Sequence, residues 1–94
     1  MKFDDKIFEL NSNASFREMG EEGIILITDS GQLYSTNETG TAFMNHLGKD
    51  MSFQEIIRQL SKEFDVTAET LTQDLLEFTE HLFTEDVLRI SGRE

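Results

Sequence analysis

The spacing of apolar residues changes once along this chain, and that change restricts the fold more than any other feature. Up to residue 36 the apolar positions alternate or fall in short runs; from residue 38 onward they recur every three or four residues. Strands must therefore come first and helices second, which is the order of an α+β domain and not the alternation of a parallel α/β sheet. The change falls within Gly31 to Gly40, where a short strand runs straight into a helix start. At 94 residues the chain has length for one core only, so residues 1–94 are expected to form a single domain with its core between about 15 and 90.

Three strands are expected, from Phe16 to Met19, Ile24 to Thr28 and Gln32 to Ser35, joined by the turns Gly20-Glu21-Glu22-Gly23 and Asp29-Ser30-Gly31. They form a β-meander. The unbroken run Ile24-Ile25-Leu26-Ile27 predicts a middle strand covered on both faces, whereas Leu33 and Tyr34, among polar neighbours, suit an edge. That edge strand carries no Pro and no Lys to discourage pairing with another chain, so it is open to a guest strand. Ahead of the meander, Phe3, Ile7, Phe8 and Leu10 predict an apolar flap or short strand before the turn Asn11-Ser12-Asn13.

Helix starts are marked by capping residues. Ser35-Thr36-Asn37-Glu38 reads as a capping box, with Asn37 as the alternative cap, ahead of a first helix from about Glu38 to Leu47. Ser52 and Glu55 form a second box before Phe53, Ile56, Ile57, Leu60 and Phe64, which share one helical face. Thr67 caps a third helix running from about Ala68 to Phe83. On this helix Leu71, Leu75, Phe78 and Leu82 make one stripe, and Leu76 and Phe83, with Thr72 and Thr79, make an adjoining one. Their combined arc of roughly 160° exceeds the ~100° needed to dock a surface helix. The first stripe is expected on the other two helices; the second either completes the core or walls a groove beside the open strand. Val87 to Ile90 predicts a short terminal strand, and Ser91 to Glu94 should fray.

Eight basic residues against 19 acidic ones give a formal charge of −11, a field that repels phosphate backbones and anionic lipids. Three helices with strands resemble a winged helix-turn-helix, but the helix that would enter a DNA groove carries Glu69, Asp74, Glu77 and Glu80 and no Lys or Arg. Nucleic acid and membrane are therefore not expected partners. The acidic Met1-Lys2-Phe3-Asp4-Asp5-Lys6 start does not read as a secretory signal, and the absence of Cys suits a reducing cytosol. No Gly-x-Ser-x-Gly elbow, P-loop or dinucleotide pattern is present, and His46 and His81 have no third ligand for zinc. Binding without catalysis, cofactor or metal is the expectation.

The ordered set formed by Gly23-Ile24-Ile25-Leu26-Ile27, then Leu33 through Gly40, then Gly48 to Ser52, then Leu75 to Val87 resembles the PqqD family. These are small domains of pyrroloquinoline quinone biosynthesis and their relatives, also called RiPP recognition elements. The resemblance spans about residues 15 to 90 and implies three antiparallel strands followed by three helices. It also implies that the leader segment of a ribosomally made precursor peptide adds as a strand beside the third strand and against the third helix. Such domains present the peptide to a modifying enzyme, often a radical-SAM protein. On this chain the docking edge would be Gln32, Leu33, Tyr34, Ser35 and Thr36, and the facing wall Thr72, Leu75, Leu76, Thr79 and Phe83.

The chain departs from the family pattern at two places. Thr36 stands where Leu usually precedes the junction Asn, and Glu85-Asp86 replaces the commoner Gly. The acidic third helix departs too, because relatives often place basic residues there to hold an acidic leader; here a neutral or basic leader is expected. The alternatives are a stand-alone winged-helix interaction or regulatory module, and an enzyme whose site is shared with a partner. A monomer or weak dimer is expected, since an open edge can also pair with its own copy.

Overall fold

A computed structural model describes Phe3 and residues 5–91. Strand β1 (Phe8–Leu10) precedes a meander of β2 (Ala14–Met19), β3 (Glu22–Ile27) and β4 (Gln32–Thr36). Helices α1 (Glu38–His46), α2 (Phe53–Phe64) and α3 (Ala68–Thr84) follow, and β5 (Leu88–Ile90) ends the described chain. The α+β order expected from the change of period is present, as a three-stranded antiparallel meander followed by three helices.

The meander is antiparallel with order β2-β3-β4. Its register places Phe16 and Tyr34 on either side of Ile25, and Arg17 and Ser35 on either side of Ile24. Successive residues point to opposite faces, so Ile25 and Ile27 enter the core while Ile24 and Leu26 are only half-buried on the outer face. The middle strand is thus covered on one face, not on both. Ile24 and Leu26 have Arg17, Ser15, Ser35 and Leu33 as cross-strand neighbours, and Leu33 is itself 61% exposed.

The helix starts follow local hydrogen bonding. Asn37 Oδ1 accepts from the Gly40 N–H at 2.8 Å, while Ser35 and Thr36 remain in β4, so Asn37 is the cap and the Ser35 box does not form. Ser52 and Glu55 make the expected reciprocal box at 3.2 and 2.8 Å, and Thr67 Oγ1 accepts from the Thr70 N–H. Helix α3 ends in paired reverse bonds, Val87 N–H to the Leu82 carbonyl and Asp86 N–H to that of Phe83, which is a Schellman motif. Asp86 carries its left-handed φ of 62°. The family departure at this point places an Asp in a conformation that Gly adopts without steric cost.

The two ends of the chain meet. Phe8 pairs with Ile90 and Leu10 with Leu88, Ser91 donates to the Ile7 carbonyl at 2.6 Å, and Asn11 to that of Val87 at 2.8 Å. The N-terminal segment is therefore a strand with a partner about 80 positions away. Ser91 is held in place rather than frayed; residues 92–94 of that expected fraying segment lie outside the described residues. Phe43, Phe53, Ile56, Leu60, Leu71 and Leu82 are all within 2% of full burial and form the centre of the core.

Candidate functional site

Strand β4 lies at one end of the meander, and among the described residues no strand pairs with its outer edge. Which backbone groups face outward follows from the hydrogen-bond phase. Thr28 N–H donates to the Asn13 carbonyl and Gly31 N–H to that of Ile27, so Ile24 and Leu26 turn their amides toward β2, while Gly23, Ile25 and Ile27 turn theirs toward β4. Tyr34 and Thr36 bond inward, and Leu33 and Ser35 direct N–H and C=O off the open edge. Those two residues present two donors and two acceptors to a guest.

Helix α3 forms the facing side. The rings of Tyr34 and His81 meet edge to face at 5.7 Å, joining β4 to α3. Near the end of β4 a cleft of about 370 Å³ is lined by Glu22, Ser35, Thr36, Asn37 and Phe78. Phe78 is half-buried and is anchored from behind by Phe43 of α1, with ring centres 6.1 Å apart. On the solvent side of this flank Asp74, Glu77 and Glu85 are exposed, and no Lys or Arg lies between Lys62 and Arg89.

The structure divides the sequence-derived residues into three groups. Gln32, Leu33 and Ser35 are exposed on β4, and Tyr34 is half-buried facing α3. Leu75 and Thr79 belong to the core, at 2% and 0% exposure. Thr72, Leu76 and Phe83 lie roughly 120–160° around α3 from Phe78 at 100° per residue, and Phe83 packs on Phe3 and Phe8 at 5.8 and 6.1 Å. The C-terminal end of the second apolar stripe, at Phe83, thus packs on the N-terminal segment and not on β4. Phe78, His81, Asn37 and Glu22 border β4 but are absent from the sequence-derived set. Phe78 and His81 lie one turn apart on α3, and no pattern in the sequence marks their side of the helix as the one beside β4.

Thr36 has a defined place. Its side chain is buried at 4% exposure beside Gly23 and Thr41, and the Thr36 and Thr41 hydroxyls bond to each other at 2.6 Å. A Cβ on Gly23 would lie 2.6 Å from the Phe16 ring and 2.9 Å from Thr36 Oγ1. Thr36 therefore contributes main chain to the strand and a satisfied polar pair to the interior. Thr41→Val should cost about 1–3 kcal/mol by stranding the Thr36 hydroxyl, whereas Thr36→Val with Thr41→Val should recover most of that loss. Urea unfolding of the single and double variants measures this; a double variant as unstable as the sum of the singles would contradict coupling.

His46 Nε2 lies 3.6 Å from a Glu63 carboxylate oxygen. Among the described residues, no three His, Cys, Asp or Glu side chains are placed to hold a metal ion, and no helix is long and apolar enough to cross a membrane.

Comparison with known proteins places this geometry in context. The family model described as coenzyme PQQ synthesis protein D matches residues 22–88. A solved structure, TbiB1 in complex with the TbiA(beta) leader peptide, is similar in fold at a TM-score of 0.76 and 17% identity, covering 92% of this chain and 98% of that one. Comparison with curated proteins gives no match.

Proposed function

The chain belongs to the PqqD family, and on that premise we propose that it binds the leader segment of a ribosomally made precursor peptide by strand addition to β4. The observation that carries this reading is the pairing of an open edge at Leu33 and Ser35 with a cleft floored by Phe78 beside it. An extended guest on that edge forms up to four main-chain bonds, each worth ~1 kcal/mol net, and points alternate side chains toward α3. The similar solved structure contains a leader peptide, which supports the same class of ligand here.

The site as described carries out no chemistry of its own. It holds a flexible peptide in one extended conformation, so that a modifying enzyme meets an ordered substrate. The exposed carboxylates of Asp74, Glu77 and Glu85 favour a neutral or basic leader over an acidic one.

Titration with leader peptides encoded near the gene, followed by backbone amide NMR, is expected to shift Leu33, Ser35, Phe78 and His81 most. A basic leader should bind more weakly as salt rises. Shifts confined to residues away from β4 and α3 would overturn the site, and salt-independent binding of a basic leader would remove the role given to the acidic flank.

A further inference from the structure

The sheet has a second unpaired end. Among the described residues β2 pairs with β3 alone, and the hydrogen-bond phase that turns Leu33 and Ser35 outward on β4 turns Ala14, Phe16 and Glu18 outward on β2. The Ala14 N–H is already taken by the Asn11 carbonyl at 3.1 Å, so the open part of this edge is Phe16 and Glu18, and beside it lie two depressions, both walled by β2 and α1. One, about 250 Å³, is lined by Glu9, Leu10, Phe16, Met44, Leu47 and Gly48, and is mostly apolar. The other, about 180 Å³, holds the carboxylates of Glu18, Glu21 and Glu38 around Thr41, Ala42, Asn45 and Phe64. In the apolar cleft Glu9 is already paired with Arg89 at 2.6 Å, which leaves the acidic character at the Glu18 end.

We propose that the β2–α1 groove is a second strand-docking surface, whose occupant is an edge strand or hairpin of a basic protein partner. The pattern of the groove specifies the pattern of the guest. A guest residue opposite Phe16 inserts an apolar side chain among Leu10, Met44 and Leu47. Two residues along on the same face, opposite Glu18, a Lys or Arg meets Glu18, Glu21 and Glu38. A second copy of this chain does not fit that pattern: the β2 face it would offer is Ala14, Phe16 and Glu18, with no cation for Glu18, and each copy brings a charge of −11. The groove lies at the opposite end of the meander from β4, so both edges can be occupied together. This inference does not rest on the leader-peptide reading.

The test uses the full chain and a synthetic β-hairpin with Ile and Lys alternating on one face; the control hairpin has Glu in place of Lys. The Lys hairpin is expected to slow amide exchange at Phe16 and Glu18, and to do so equally in the Ser35→Pro variant, whose β4 edge is blocked. Glu18→Lys combined with Glu21→Lys, both at exposed positions, should weaken the hairpin at least tenfold, a loss of ~1.4 kcal/mol. Protection appearing at Leu33 and Ser35 instead, equal binding of the Glu hairpin, or a dimer in sedimentation with Phe16 and Glu18 already protected would each overturn the proposal.

Discussion

Ser35→Pro is expected to lower affinity for a leader peptide by about 10- to 100-fold while leaving the domain folded. The Ser35 N–H points off the outer edge of β4, so proline there removes no bond to β3 and fits an edge strand. A docked guest would lose that donor, and its own carbonyl would be left buried without a partner, a penalty of ~1–3 kcal/mol. Leu33→Pro should act the same way one pair along. By contrast, proline at Tyr34 would cut the β3–β4 ladder and should lower stability and binding together. Calorimetric titration alongside thermal unfolding separates the two effects. Undiminished binding by both Ser35→Pro and Leu33→Pro would exclude β4 as the docking strand.

The largest loss of stability should come from Phe43→Ala, about 3–5 kcal/mol. Phe43 has 0% exposure and its ring meets Phe53 of α2 at 5.9 Å and Phe78 of α3 at 6.1 Å. One side chain therefore packs all three helices together and supports the floor of the β4 cleft. A domain of this size should lose ~15 °C or more in melting temperature. Phe43→Leu, which retains most of the volume, should lose much less. A near-normal melting temperature for Phe43→Ala would mean that the three helices are held elsewhere.

Local chemistry made much of this architecture legible. Ser52 and Thr67 start their helices as capping residues do, and the run around Ile25 announced a central strand. At the first helix the sequence allowed two caps, and the choice of Asn37 follows from Thr36 being held in β4 opposite Gly23 and bonded to Thr41. Pairing between β1 and β5 left no local trace, because neither three-residue strand is distinguishable from a flap until its distant partner is known. The β4 edge was readable from its position and composition. The flank of α3 beside it was not: an apolar arc of ~160° reports how much of a helix is covered, not which margin faces the sheet. The contact of Tyr34 with His81 identifies that margin.

The clasp formed by β1 and β5 makes the chain a ring in all but the covalent sense. Closing a ring of that length is entropically late, so the meander and helices are expected to be ordered before their ends join. Once joined, neither end can peel away alone, because releasing Phe8 also releases Ile90. The proposed docking edge, β4 (Gln32–Thr36), sits within the ring, between the two clasp strands. Tension applied at one end of the clasp is therefore borne first by the β1–β5 ladder, and β4 keeps its shape until that ladder gives way.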